Sequence, residues 1–271
     1  MKIVDKYYLN QNHSKGPRLY HEVHGSKGPF LLMVHGIMSS RAQWMPNLEF
    51  LTGFCRPVVV ELFGHGRSPS PENSEYYYPD NYVHEFERIR EKLETERWFI
   101  CGQSLGASLT LRYSLYHPER IIAQIFTNSR SAFMENPKEE IMKKVAQTLE
   151  KSGPEGLDNL PLNPSKSRHL EPKVKEALVN DINLINLKGF GHNLRYLIPR
   201  CSVRDLIQDN KVPTLLVVGK FDQTFSSLIE FIEKTVPNLE MKIFDGGHAI
   251  NIDAADHFNE TVRDFVLRFS G

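Results

Sequence analysis

Short apolar runs recur along the chain at Phe30 to Val34, Pro57 to Glu61, Trp98 to Gly102, Ile121 to Thr127, Thr214 to Val218 and Met241 to Phe244. Runs this short, several of them apolar at successive positions, predict strands buried on both faces. Between them, apolar residues fall at helical spacing: Arg41 to Leu51, Asn81 to Glu96, Leu105 to Tyr116, Leu228 to Thr235 and His257 to Phe269. Tyr82, Val83, Phe86, Ile89 and Leu93 share one helix face, and Phe258, Val262, Phe265 and Val266 share another. Strands alternating with helices imply right-handed β-α-β units and a mostly parallel sheet. Val4 to Leu9 and Leu19 to His24, separated by a polar turn at Asn12 to Gly16, predict a hairpin at one edge.

The alternation stops between about Ser131 and Ile207. Amphipathic helices are expected at Lys138 to Lys151 and Val174 to Ile185, with a Gly/Pro/Asn-rich connection at Gly153 to Pro164 and a helix-like piece near Leu194. So long a stretch is not a loop of a compact domain. It reads as a helical cap, residues 131–207, inserted into a core made of residues 1–130 and 208–271.

Composition narrows the class. A chain of 271 residues can bury a full core and carry such an insertion. The 33 basic and 33 acidic residues balance, which argues against a nucleic-acid or anionic-membrane partner held by bulk electrostatics. No stretch is long enough to span a bilayer, and Met1 to Asn10 lacks a signal-peptide core. Cys55, Cys101 and Cys201 have no CxxC spacing and suit free thiols, so the cytoplasm is the expected location. No Cys/His spacing or acidic cluster suggests a metal, and no cofactor is expected.

Chemistry is expected where glycine follows a strand. Ser104 lies between Gly102 and Gly106, after a strand and before a helix. This Gly-x-Ser-x-Gly pattern predicts a nucleophile elbow, a turn so tight that a Cβ at either flanking position would collide. Asp222 and His248 also follow predicted strands. Singly, such residues are usually turn, cap or structural residues; their conjunction in the order Ser, Asp, His gives weight to a catalytic role.

With His35-Gly36 and Gly64-His65-Gly66-Arg67-Ser68 added, nearly the whole chain resembles the α/β-hydrolase superfamily, in the capped serine hydrolase, carboxylesterase-like branch. The resemblance implies an α/β-hydrolase fold with a helical cap after the sixth core strand. It implies Ser104 as nucleophile, His248 as base and Asp222 as the residue that orients it. The backbone N–H groups of Ile37 and Leu105 would form the oxyanion hole, both side chains being expected to line the acyl pocket. Met38, Gln103, Phe133 and Met134 would contact a small or medium uncharged ester. His35 and His65 are expected to be structural.

There are departures from the family pattern. Glu61 stands where an aspartate is common, leaving its pairing with Arg67 open, and Ala107 replaces a common second glycine. A serine nucleophile argues against the dehalogenase and epoxide-hydrolase branches. The same triad also serves carbon–carbon cleavage, thioester hydrolysis, carrier-protein methyl-ester hydrolysis, a non-hydrolytic elimination, and ligand receptors with little turnover. Lysines at 138, 143, 144, 173 and 175 are interleaved with glutamates, which disfavours an acidic carrier protein as partner.

Overall fold

The computed structural model describes residues 16–135, 139–167 and 170–270. Seven strands form one sheet: β1 (His21–Val23), β2 (Phe30–Val34), β3 (Arg56–Val60), β4 (Trp98–Gly102), β5 (Ile121–Thr127), β6 (Thr214–Gly219) and β7 (Leu239–Phe244). Their spatial order is β1-β3-β2-β4-β5-β6-β7. β1 runs antiparallel to β3, and every other pairing is parallel. The carboxyl ends of β2 to β7 therefore share one edge, where an open α/β sheet collects its functional loops. The expected strand Val4 to Leu9 lies outside the described residues, so the helical insertion follows the fifth described strand.

The pleat sorts side chains between two faces. Leu32, Val34, Val58, Val60 and Ile100 pack with Val83, Phe86 and Ile89 of α2 (Pro79–Lys92) and Leu109 and Tyr113 of α3 (Leu105–Tyr116). Their neighbours Leu31, Met33, Val59, Phe99 and Cys101 face Leu51 of α1 (Met45–Leu51) and Phe258, Val262 and Val266 of α12 (Ala255–Phe269). Every residue of β2, β4 and β6 is buried, as their unbroken apolar runs require.

Two local expectations need correction. The helix expected from Arg41 starts as a 3-10 turn, Arg41–Trp44, capped by Ser40 Oγ accepting from Ala42 N–H, and becomes α-helical only at Met45. The polar segment from Ser70 to Pro79, whose composition predicts an irregular surface excursion, is in part buried. Its 3-10 turn, Ser74–Tyr77, buries Tyr76 and Tyr77 edge-on against Phe63, at 5.7 and 6.0 Å between ring centroids.

Between β5 and β6 come α4 (Arg130–Phe133), α5 (Glu139–Ser152), α6 (Glu155–Asp158), α7 (Pro172–Ile182) and α8 (Leu187–His192), then a π-helical turn, Asn193–Leu197. No strand occurs there among the described residues. Ala146, Leu149, Leu157, Ile182, Phe190 and Leu194 of this layer form an apolar cluster with Met38, which comes from the loop after β2. Gly64 sits in the left-handed region at φ 79°, and a Cβ there would lie 2.7 Å from the Gly189 carbonyl carbon. Backbone thus meets backbone where α8 docks on the core. Asn193 Nδ2 donates to Phe63 O at 2.7 Å and Asn193 Oδ1 accepts from Tyr82 OH at 2.8 Å, completing the seam.

Candidate active site

β2 and β4 pair in register up to Val34 and Gly102, so the loops that follow them are neighbours. Ser104 has φ 52° and ψ −117°, a conformation that costs a non-glycine residue about 1–3 kcal/mol. The flanking glycines make the turn possible. A Cβ on Gly102 would lie 2.5 Å from Ala107 Cα, and one on Gly106 would lie 2.6 Å from His35 O. Ser129 Oγ donates to Ser104 O at 2.6 Å. A Cβ on Gly36 would come 3.1 Å from Ser104 Cβ, so the loop after β2 runs beside the serine. Leu105 is the first residue of α3, where backbone N–H groups have no partner within the helix.

At the same sheet edge, His248 Nδ1 donates to Asp222 Oδ2 at 2.7 Å. That bond leaves Nε2 as the acceptor of the neutral ring. Asp222 is buried and heads a short helix, α9 (Gln223–Ser226), which α10 (Ile229–Thr235) follows, with Oδ1 accepting from Thr224 N and Oγ1 at 3.1 and 2.7 Å. Asn128 Nδ2 adds a bond to Oδ2 at 3.0 Å. Burial pushes the Asp222 pKa up, but the hydrogen bond and charge of His248, with the Thr224 and Asn128 bonds, hold the carboxyl well below its ordinary range. Asn128 is itself fixed by Gly219, whose N–H it accepts at 3.0 Å and whose carbonyl it reaches at 3.2 Å. The sequence reading missed Asn128, Ser129 and Thr224. The polar pair ending β5 and a threonine two residues after an aspartate were the available signals.

The loop after β2 is set by two imidazoles. His35 Nε2 accepts from Leu62 N–H at 3.1 Å, so Nδ1 carries the proton and donates to Gly36 O at 2.7 Å. Because the Gly36–Ile37 peptide is planar and trans, holding its carbonyl turns the Ile37 N–H the opposite way. His65 Nε2 accepts from Met38 N–H at 3.2 Å, steadying a left-handed residue at φ 57°. Burial lowers the His35 pKa to about 4; burial and the nearby His35 lower that of His65 to about 3. Both rings are therefore neutral at pH 7. Glu61 keeps the pairing with Arg67: Oε2 accepts the Arg67 N–H at 2.6 Å and Nη1 reaches Oε1 at 3.4 Å.

The expected substrate contacts divide. Ile37, half-buried, packs against both the core and the inserted helical layer, whereas Met38 is a correction: at 1% exposed it is taken up in packing among the inserted helices. Met134 is half-buried, its carbonyl accepting from Ser202 Oγ at 2.9 Å. Gln103 is a correction: it is 3% exposed and its Nε2 donates to His248 O at 3.1 Å, so it is a strut between two loops. Phe133 is another, because the short α4 turns its ring inward against Phe126 and Phe231, at 5.9 and 6.3 Å. The Leu105 side chain likewise belongs to the core rather than to an acyl pocket. Among the described residues no cluster of three His, Cys, Asp or Glu side chains could hold a metal ion.

A mostly parallel sheet carrying a strained serine turn and an Asp–His pair at one edge defines the α/β-hydrolase class of enzymes. The chain belongs to the alpha/beta hydrolase fold family, whose model matches residues 29–255. It is 24% identical over 251 residues, 87% of this chain and 89% of the other, to a Bacillus subtilis (strain 168) protein with the provisional name 2-succinyl-6-hydroxy-2,4-cyclohexadiene-1-carboxylate synthase. It is 22% identical over 246 residues to carboxylesterase YbfK of the same organism, covering 88% of this chain and 80% of that one. Among solved structures, MenH from S. aureus superposes with a TM-score of 0.82 at 20% identity, over 93% of this chain and 99% of that one. A thermophilic esterase from Thermogutta terrifontis gives 0.79 at 22% identity, over 93% and 94%.

Proposed function

We propose that this chain is a serine hydrolase that cleaves small or medium uncharged carboxylic esters through an acyl-enzyme on Ser104. The observation that carries this reading is the 2.7 Å bond from His248 Nδ1 to buried Asp222, made at the sheet edge that also holds the strained Ser104 turn. His248 Nε2 takes the Ser104 proton as Oγ attacks the acyl carbon, and Asp222 steadies the imidazolium. The N–H groups of Ile37 and Leu105 receive the developing oxyanion. His248 then protonates the departing alcohol, and water activated by the same ring releases the acid. The half-buried apolar side chains of Ile37 and Met134, beside a cap of residues 131–207, favour an apolar acyl or alkyl group. The similarity to carboxylesterase YbfK supports the ester class. The cysteines, all free and buried, fit the reducing cytoplasm.

A second reading, non-hydrolytic chemistry on the same three side chains, is favoured by the similarity to a protein named as a synthase. A chain-length series of activated esters and thioesters with a fluorophosphonate probe separates the two. For the hydrolase, Ser104 takes the label and Ser104→Ala lowers turnover roughly 10⁴-fold or more with the fold intact. An alanine variant that keeps most esterase activity would sink the assignment. Labelling of Ser104 without hydrolysis anywhere in the series would move the reading to the non-hydrolytic alternative.

A further inference from the structure

Four amide side chains, Gln43, Asn47, Asn251 and Asn259, are buried to 3% exposure or less beside the apolar layer formed by Trp44, Ile250 and Phe258. They form one connected network. Gly36 N–H donates to Gln43 Oε1 at 3.2 Å, and Gln43 Nε2 donates to Asn251 Oδ1 at 3.4 Å. Asn251 Nδ2 returns to Gln43 O at 3.0 Å and reaches Asn47 Oδ1 at 3.2 Å. Asn47 Nδ2 donates to Asn251 O at 2.8 Å and to Asn259 Oδ1 at 2.9 Å, and Asn259 Nδ2 ends on Pro46 O at 3.3 Å. Backbone groups fix the amide orientations. Gly36 N–H can only donate, so the Gln43 atom facing it is oxygen; the carbonyls of Gln43 and Asn251 can only accept, so the atoms facing them are nitrogen.

Two members of this network lie beside the two loops that the chemistry needs held together. Gly36 immediately precedes Ile37, and Asn251 lies three residues after His248 in α11 (Ile250–Asp253). On the other side of the serine, Gln103 ties the elbow to the His248 carbonyl. Apolar residues would fill this layer without any need for directional partners; buried amides are stable only when fully paired, and they then fix one relative position. We propose that Gln43 and Asn251 are positioning residues that set the Ile37 N–H and the His248 imidazole in one frame, an inference whose catalytic part rests on the hydrolase reading above. An oxyanion donor and a base misplaced by about 1 Å relative to each other cost on the order of 100-fold in rate.

Gln43→Met and Asn251→Leu, singly and together, test this, with Asn251→Asp as a milder change should the leucine variant not fold. Hydrogen–deuterium exchange reads the coupling without reference to activity. Asn251→Leu or Asn251→Asp should speed exchange at residues 35–40, and Gln43→Met should speed it at residues 246–250, each by about tenfold or more. On an activated ester, each single variant should lose about tenfold or more in kcat with KM within about twofold, and the double variant should be little worse than either. Gln43→Glu, which keeps the acceptor for Gly36 N–H, should recover part of the kcat lost in Gln43→Met. Exchange that changes only around each substituted side chain, or kcat losses that multiply, would overturn the proposal. Absence of fluorophosphonate label on wild-type Ser104 would instead overturn the hydrolase reading and the catalytic role with it, while leaving the exchange result to be judged separately.

Discussion

His35 and His65 are fully buried, and neither can take up a proton without turning an acceptor nitrogen into a donor that faces a backbone N–H. Their ring centroids are 5.4 Å apart, so charge on one opposes charge on the other. Folded-state pKa values of about 4 and about 3 lie below the ordinary histidine value, so between pH 6.5 and 4 the unfolded chain binds more protons than the folded one. Stability from these groups is complete above about pH 6.5 and declines as pH falls, by up to about 1.4 kcal/mol per pH unit for each ring. Burial lowers His21, His84 and His192 in the same direction and raises Glu61 and Glu85 with the opposite sign near their own titration, so the prediction is best read as a difference between proteins. Urea unfolding from pH 7.5 to 5 should show a shallower decline for His65→Gln than for wild type, by about 1 kcal/mol per unit below pH 6. Parallel curves would remove His65 as a source of the dependence.

Element against element, the seating of α8 is governed by glycine. A Cβ on Gly189 would lie 2.9 Å from Gly64 Cα on one side and 2.8 Å from Ser70 Oγ on the other, so backbone as well as side chain would have to move. Gly189→Ala should therefore destabilise by about 1–3 kcal/mol and raise KM by displacing the α8 and π-helical layer. An unchanged urea midpoint together with an unchanged KM would show that this close approach does not control the cap. Such contacts also mark the limit of what could be read in advance. The sheet was legible because β2, β4 and β6 are apolar runs, and Ser104, Asp222 and His248 stand out as candidates because each follows a strand with glycine nearby. Asn128 meets Asp222 across 94 positions and Asn251 meets Gln43 across 208, and no local pattern announces such partners. Gln103 and Phe133 were misread for the converse reason: a place beside the elbow or just past the end of β5 says nothing about which way a side chain turns.

For the molecule as a whole, the question is what holds the helical layer between β5 and β6 against the core, because the proposed cap role depends on it. Two kinds of force are present on α5. At its two ends, Glu150 makes a bidentate pair with Arg195 at 2.5 and 2.6 Å, and Glu139 pairs with Arg200 at 3.1 Å. Along its inner face Ala146 and Leu149 pack with Phe190, Leu194 and Met38. The ion pairs are partly exposed, with Glu150 and Glu139 side chains 34% and 41% accessible, and pairs of that kind contribute about 1 kcal/mol or less. Truncating a fully buried phenylalanine costs about 3–5 kcal/mol, so the apolar cluster contributes more to holding this layer than the ion pairs do. Limited proteolysis within α5 measures the balance, since cleavage follows the population of the open form when reclosing is fast. Phe190→Ala should speed cleavage between Glu139 and Ser152 by roughly 100-fold or more, and Arg195→Met by about fivefold or less. The same ordering should appear in KM for long apolar esters, with Phe190→Ala the weaker binder. If Arg195→Met opened α5 as readily as Phe190→Ala, the cap would be electrostatically latched, and its closure would then weaken as salt is raised.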